Sequence, residues 1–533
     1  MTSTREPFGE PLLTSAQLRE VEFANAPLDL MRRAGKAAAS FLCARTQPNA
    51  RIVLFVGPGN NGGDALACAA EMAVAGYAPV VVILGEPEKF ADDAARAWRR
   101  VMELGHTGAQ RLPPSPGREG WGEGVSPTSK FAMNAHTLSP NPSQPGGGGH
   151  MVVTREIPLA VNADWIIDGL FGIGLKRPLD GAYRDAVHMI AGARADGAQV
   201  LALDVPSGIH ADTGALLGDA VVDADFTLSF IANKPGLVTG PALDFVGTVH
   251  CATLDLPASP HTANTARLLG ASYINAVAKT SPANAHKGSR GTCVIIGGAA
   301  GMLGAALLAS RAAMRTGAGK VKVGWLAEPH PQVDPLMPEA MMASAAELIN
   351  SDCHALVIGC GLGVSGAAVR VLKSALKREV AVVIDADALN LIAQSAELAT
   401  LVQRRKSPTV ITPHPAEAAR LLGCSTADVQ LDRYKAAHDL ARGYRCIAVL
   451  KGAGTVISDG TETTVNGTGN PLLATAGTGD VLAGMIGALL AQGNDATTAA
   501  RLGVCMHGAA ADALRARGVK RAVAGDVIAE LRY

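Results

Sequence analysis

Two α/β domains in tandem, each a mostly parallel sheet covered by helices, are the fold this sequence predicts. Short β-branched runs alternate with helical stretches along most of the chain, and several of these runs end in glycine-rich polar loops. A length of 533 residues is also more than one hydrophobic core serves. Hydrophobic residues at 48%, charged at 18% and aromatic at only 4% supply the small apolar side chains that buried parallel strands need.

The first domain, assigned to 1–256, opens with Thr14-x-x-Gln17, a capping-box pattern ahead of a helical stretch running towards Leu42. Residues 52–56 read as a short strand, 57–64 as a glycine loop, 65–76 as a helix and 79–84 as the next strand, together a βαβ unit. Apolar runs at 165–167, 200–203, 226–231 and 248–252 extend that sheet. The stretch 112–150 is dense in proline and glycine and lacks apolar periodicity, so it buries too little to offset its ordering entropy; a disordered insertion over about 110–150 is expected. A mixed polar stretch at 257–290 marks the boundary. The second domain, 257–533, carries strands at 292–296, 320–326, 355–358, 380–384, 409–411 and 447–450, separated by helices.

Charge and cysteine content exclude several functions. Lysine plus arginine equals aspartate plus glutamate, 47 against 47, so no global field attracts DNA or RNA, and phosphate recognition must be local. The nine cysteines are scattered and form no Cys-x-x-Cys pair, which speaks against a zinc site or a disulfide framework and for a reducing, cytoplasmic compartment. Residues 1–20 lack an apolar core and the longest apolar runs fall short of a membrane span, so no membrane partner is expected.

The chemistry-bearing residues sit where strands end, the place at which open parallel sheets bind ligands. In the first half the loop Gly57-Pro58-Gly59-Asn60-Asn61-Gly62-Gly63-Asp64 is not a Gly-x-Gly-x-x-Gly cradle; its asparagines and aspartate add side-chain donors and acceptors. A second loop starts at Asp168 and runs through Gly172, Ile173, Gly174, Leu175, Lys176, Arg177 and Pro178, and its glycines with the two cations suit a pyrophosphate. A third is Asp204-Val205-Pro206-Ser207-Gly208. Singly, Asp64, Asp168 and Asp204 read as turn or cap residues. Together with Asn61 and Ser207 they offer hard oxygen ligands to a monovalent cation and a base for proton transfer.

These loops, with Met31-Arg32-Arg33-Ala34-Gly35, resemble the NAD(P)H-hydrate epimerase domain, a Rossmann-like fold, over residues 10–255 apart from the insertion. The resemblance implies that hydrated nicotinamide nucleotide lies against Asn60, Asn61, Gly62, Gly63 and Asp64 and against 172–178. It further implies a potassium ion on Asn61, Asp168 and Ser207, with Asp204 at the substrate as the proton-transfer residue.

In the second half, residues 469–480 end in Gly477-Thr478-Gly479-Asp480 and lead straight into the apolar run 481–490. Unpaired amides and the helix dipole at such an opening stabilise an anion, and Asp480 in the first turn can take the proton of a hydroxyl that attacks a phosphoryl group. Further polar loops follow apolar runs: Gly359-Cys360-Gly361-Leu362-Gly363, Asp385-Ala386-Asp387, Thr412-Pro413-His414-Pro415 and Lys451-Gly452-Ala453-Gly454-Thr455. Taken alone, His414 reads as a turn residue, Lys451 as a surface lysine, and Asp385 and Asp387 as helix caps.

As an ordered set these motifs resemble the ribokinase-like, α/β/α NAD(P)H-hydrate dehydratase over 280–533. That implies adenine nucleotide at Lys451, Gly452, Ala453, Gly454, Thr455 and Gly479, hydrated cofactor near Ala305, Gly363, His414 and Asp480, and magnesium with the nucleotide. The pattern departs from the family at Leu472 and Ala476, where glycines are usual. The two halves together imply a repair activity: R and S forms of hydrated NADH and NADPH are interconverted, and the S form is dehydrated at the expense of ADP, giving NAD(P)H, AMP and phosphate. ADP rests on the bacterial look of the fusion. A homo-oligomer is expected. The alternative is a vitamin-precursor kinase of the same fold joined to a non-catalytic nucleotide-binding module.

Overall fold

Ile52–Val56 is apolar at each position and buried along its length, as a central parallel strand covered on both faces must be. It lies in a seven-stranded, all-parallel sheet ordered Val152–Thr154, Val80–Ile83, Ile52–Val56, Trp165–Gly169, Gln199–Leu203, Phe226–Phe230 and Thr248–Ala252. The chain runs outward from Ile52–Val56 in one direction and from Trp165–Gly169 in the other. The topological switch point therefore falls between these two strands, and a crevice opens at their carboxyl ends. The structure, a computed structural model, describes residues 9–105, 151–157, 161–256, 265–278 and 283–531; the expected insertion lies outside the described residues.

The helix after Ile52–Val56 is Asn60–Val74, which starts five residues before the predicted 65. Glycine costs about 1 kcal/mol against alanine inside a helix, so Gly62 and Gly63 argue for a loop on propensity alone. Packing overrides that preference. A Cβ on Gly62 would stand 2.1 Å from the Gly57 carbonyl oxygen, and one on Gly63 would stand 2.4 Å from the Met31 methyl, so only glycine lets this first turn seat. Thr14 and Gln17 form the expected capping box of helix Ser15–Ala24.

The second sheet has eleven strands, ordered Glu10–Leu12, Ala266–Leu269, Thr463–Asn466, Val456–Ser458, Ile447–Leu450, Thr409–Ile411, Ala381–Ile384, Ala355–Ile358, Thr292–Gly297, Lys320–Trp325 and Met341–Ser344. From Ile447–Leu450 to Met341–Ser344 the pairing is parallel, with the switch point between Thr292–Gly297 and Ala355–Ile358. Two apolar layers cover its faces, and helix Thr478–Ala491 is buried continuously from Val481 onward within one of them. The stretch expected to be a polar boundary contributes a strand here, Ala266–Leu269. That strand pairs with Thr463–Asn466 on one side and with Glu10–Leu12, from the chain's beginning, on the other. No helix of the described residues is long and apolar enough to cross a membrane.

Candidate active sites

The crevice of the first sheet is a cavity of about 460 Å³. Pro58, Gly59, Asn60, Asn61 and Asp64 line it from the loop and first helical turn after Ile52–Val56, and 170–175 line it after Trp165–Gly169. Asp204 lines it after Gln199–Leu203, while Leu18, Arg19 and Glu22 of helix Ser15–Ala24 close it from above. Of the residues expected at the nucleotide, Gly62 and Gly63 pack behind the cavity, while Lys176, Arg177 and Pro178 are exposed and do not line it. Gly172 sits tightly over the centre, where a Cβ would come 3.1 Å from Asp204 Oδ2 and 3.4 Å from Asn61 Cγ.

Four carboxyl groups, those of Glu22, Asp64, Asp93 and Asp204, line this cavity together with the Lys234 ammonium and the Arg19 guanidinium. The Lys234 ammonium is 1% exposed; it donates to Asp204 Oδ1, to Ser229 Oγ and to the Phe230 carbonyl, so all three of its protons are used. Burial, then the neighbouring Asp204 and Glu22 carboxylates, push the Asp64 carboxyl well above the usual carboxylate range. Burial and then Asp204 also raise Glu22. Asp204 itself has φ of +66°, a left-handed conformation rare outside glycine. Sequence reasoning missed Glu22 and Lys234. Glu22 sits on a helix that touches the site only through the tertiary fold, whereas Lys234, a lone cation at a strand end before Pro235-Gly236, was a readable signal.

Asp168 and Ser207 lie side by side beneath the cavity. The Ser207 hydroxyl donates to Asp168 Oδ1 at 2.7 Å, and the Ser207 and Leu170 amides donate to the same carboxylate. Burial outweighs these bonds and lifts Asp168 to about 6. A carboxylate has about four lone-pair sites, so three donors leave it one. Both polar atoms of the buried Asn61 side chain lack a hydrogen-bond partner, an orphaned amide that fits an oxygen-preferring cation.

The second site lies over the switch point of the eleven-stranded sheet. Gly477, with φ of +89°, turns the chain into helix Thr478–Ala491, and Asp480 occupies its first turn. Burial, followed by the nearby Asp385 carboxylate, pushes Asp480 up to about 6, against the opposing effects of a hydrogen bond from the Cys360 thiol and the Lys451 charge. Donor atoms of Cys360, Asp385 and Asp480 all lie within 4.8 Å of one another. Lys451 Nζ donates to Asp385 Oδ1 at 2.7 Å. Burial works against that ammonium, but the Asp385 and Glu417 carboxylates outweigh it and hold its pKa above the ordinary value. Gly479 stands over this pair, where a Cβ would be 3.2 Å from the lysine nitrogen.

Two residues expected to be helix caps have other work. Asp385 stands at the N-cap position of Ala386–Ala393 without a capping bond and pairs instead with Lys451, while Asp387 accepts the Gly363 amide at 2.8 Å. His414 does cap a helix. Its Nδ1 accepts the Ala416 and Glu417 amides, and burial, then Lys451, lower its pKa, so it stands neutral with Nε2 3.4 Å from Glu417. Ala305 lies in the first turn of Leu303–Arg315, against Gly361. Gly452, Ala453, Gly454 and Thr455 form a partly exposed loop after Ile447–Leu450. Leu472 sits in a short 3-10 turn with its side chain against the apolar layer, and Ala476 is exposed, so the departures from the family pattern are accommodated without a clash.

Two α/β domains, each with polar loops over its switch point and an aspartate of raised pKa beneath an amide-rich turn, define a nucleotide-handling enzyme of two active sites. Residues 27–236 match the family described as YjeF-related protein N-terminus, and residues 293–531 match the family described as NAD(P)H-hydrate dehydratase. The bifunctional NAD(P)H-hydrate repair enzyme of Coxiella burnetii is 36% identical over 98% of this chain and 98% of its own. That of Escherichia coli is 36% identical over 95% of this chain and 88% of its own. Among solved structures, the ADP/ATP-dependent NAD(P)H-hydrate dehydratase from Bacillus subtilis, co-crystallized with ATP and Mg2+, is 30% identical, with a TM-score of 0.44 over 49% of this chain and 94% of that one. The chain belongs to the family of bifunctional NAD(P)H-hydrate repair enzymes.

Proposed function

We propose that the first half epimerises the R and S forms of hydrated NADH and NADPH, and that the second half dehydrates the S form using ADP. The observation that carries this is the pairing of two differently charged proton-transfer sites in one family member: Asp64 beside the Lys234–Asp204 ion pair, and Asp480 beside an anion-binding turn.

The dihydropyridine ring is an enamine, so water adds with its proton going to the β-carbon and its hydroxyl to the carbon bonded to the ring nitrogen. That carbon is a hemiaminal, and the nitrogen lone pair can expel the hydroxyl. In the first cavity Asp64, held protonated, donates to the departing hydroxyl, and Asp204, kept beside the Lys234 ammonium, takes a proton from water adding to the other face; environments that separate two carboxyl groups in this way assign acid and base. The orphaned Asn61 amide, with the free lone pair of Asp168 and the Ser207 hydroxyl, would hold a potassium ion, which supplies positive charge near the substrate.

In the second cleft Asp480 takes the proton of the hydrate's hydroxyl as the oxygen attacks the β-phosphorus of ADP, with AMP leaving. The amides of the turn at Gly477–Asp480 and the Lys451 charge stabilise phosphate oxygens as they gain charge. The new phosphate ester then departs, pushed by the ring nitrogen, and loss of the β-carbon proton restores the reduced ring. Magnesium prefers oxygen ligands and usually shares them with phosphate, so Asp385 would hold it, whereas the Cys360 thiol would not.

Turnover of purified R and S hydrates by the full chain, read as recovery of reduced-nicotinamide absorbance with ADP, tests this assignment. A product that retains phosphate, with no recovery of absorbance, would favour a kinase instead.

A further inference from the structure

The nucleotide loop of the second half does not stand on its own domain alone. Gly452 and Gly454 hold φ of +135° and +60°, and the carbonyls of Ala453 and Gly454 turn towards the first half of the chain. There Thr239 is fully buried; its hydroxyl donates to the Gly454 carbonyl at 2.7 Å and lies 3.1 Å from that of Ala453, which also accepts the Gly240 amide at 3.1 Å. The approach is backbone against backbone, since a Cβ on Gly454 would fall 2.0 Å from the Val238 carbonyl oxygen. Beneath the loop the Arg433 guanidinium, 1% exposed, donates through Nε to the Thr239 hydroxyl at 3.0 Å and through Nη2 to the carbonyls of Leu450 and Lys451.

We propose that Thr239, contributed by the epimerase half, is a positioning residue for nucleotide binding in the dehydratase half. The proposal rests on the assignment of nucleotide to 451–455. The two left-handed glycines supply backbone freedom without side-chain anchors, and Thr239 with Gly240 removes that freedom by fixing the loop's outward carbonyls. Thr239 never meets the nucleotide; it sets where the loop amides and Lys451 stand when phosphate arrives. The five residues before it lead back to Lys234 on Asp204, and Tyr434 secures them by donating to the Pro235 carbonyl at 2.9 Å. The two catalytic halves therefore share one structural strap.

Thr239→Val in the full chain removes the hydroxyl at nearly constant volume. We expect the KM for ADP in S-hydrate dehydration to rise about tenfold, with kcat within about twofold of wild type, and Thr239→Ser to restore the KM. Calorimetric titration with ADP and magnesium should show the same loss. A purely structural role for Thr239 would lower the melting temperature and leave KM unchanged, and that result overturns the proposal. If Thr239→Val does not fold, Tyr434→Phe loosens the strap at Pro235 without touching the loop and should raise KM about threefold; an unchanged KM there is equally contrary. A wild-type chain that binds no ADP refutes the nucleotide assignment itself, whereas ADP binding indifferent to both substitutions refutes only the part given to Thr239.

Discussion

In the first half the buried lysine sits on the proposed catalytic carboxylate, Lys234 on Asp204, whereas in the second Lys451 sits on Asp385 and the proposed base Asp480 stands apart, bonded by the Cys360 thiol. The difference suits the two reactions. Epimerisation needs an acid and a base present at once, and the first cavity offers two unlike carboxyl groups: burial and neighbouring carboxylates push Asp64 up, while Asp204 pairs with the Lys234 ammonium. Phosphoryl transfer needs one base that titrates near the working pH and fixed positive charge nearby for phosphate, and the second cleft puts these functions on different residues.

The largest effects should come from the two proposed proton-transfer residues. Asp480→Asn should lower kcat for S-hydrate dehydration about a thousandfold while R-to-S conversion persists, and Asp204→Asn should do the reverse. Melting curves separate chemistry from folding in the first of these. The folded-state value of Asp480, about 6, lies above the ordinary 3.8, so the fold favours its neutral form. Stability from this group is complete at low pH and is lost as pH rises through about 6. Asp480→Asn should therefore melt no lower than wild type at pH above that value, and a marked loss there would mean that the carboxylate is structural.

Breaking either ion pair comes next. Lys234→Met leaves the part-buried Asp204 without its counter-charge and should cost about 3 kcal/mol of stability in denaturant titration, together with loss of epimerisation. Lys451→Met should instead raise the KM for ADP more than it lowers kcat, because its partner Asp385 is not the base. Equal consequences in the two halves would erase the contrast drawn above.

The smallest effect concerns pH. Dehydration should fall as pH drops below about 6, where Asp480 becomes protonated. The Cys360 thiol stabilises the carboxylate form, so Cys360→Ala should move that acid limb to higher pH, by about half a unit given the weakness of a thiol donor. A limb that moves the other way contradicts the hydrogen bond's assigned role.

Much of this was legible in the chain. Ile52–Val56, Ala355–Ile358, Thr409–Ile411 and Ile447–Leu450 are nearly continuous apolar runs, which is how buried parallel strands read, and their bounds are the predicted ones, as are those of the more exposed edge strand Thr248–Ala252. Glu10–Leu12 was not legible: three residues with a central proline carry no period, and the strand exists only because Ala266–Leu269 offers an edge. Val456–Ser458 and Thr463–Asn466 form a short antiparallel pair after the loop at 451–455, and runs of three and four residues that mix in Ser458, Thr463, Thr464 and Asn466 carry too little apolar pattern to read as strands. Among site residues, Asp204 and Asp480 stood in loops whose pattern announced them. Glu22 and Thr239 meet residues far along the chain, which no local spacing encodes.

If one chain divides repair between two carboxylate sites, loss of one site leaves the other reaction untouched. The measurement that decides this supplies purified R hydrate and purified S hydrate, each separately with ADP, to the Asp204→Ala chain. S hydrate should be dehydrated at the wild-type rate, while R hydrate should be consumed no faster than it converts without enzyme. Consumption of R hydrate at the wild-type rate would contradict it.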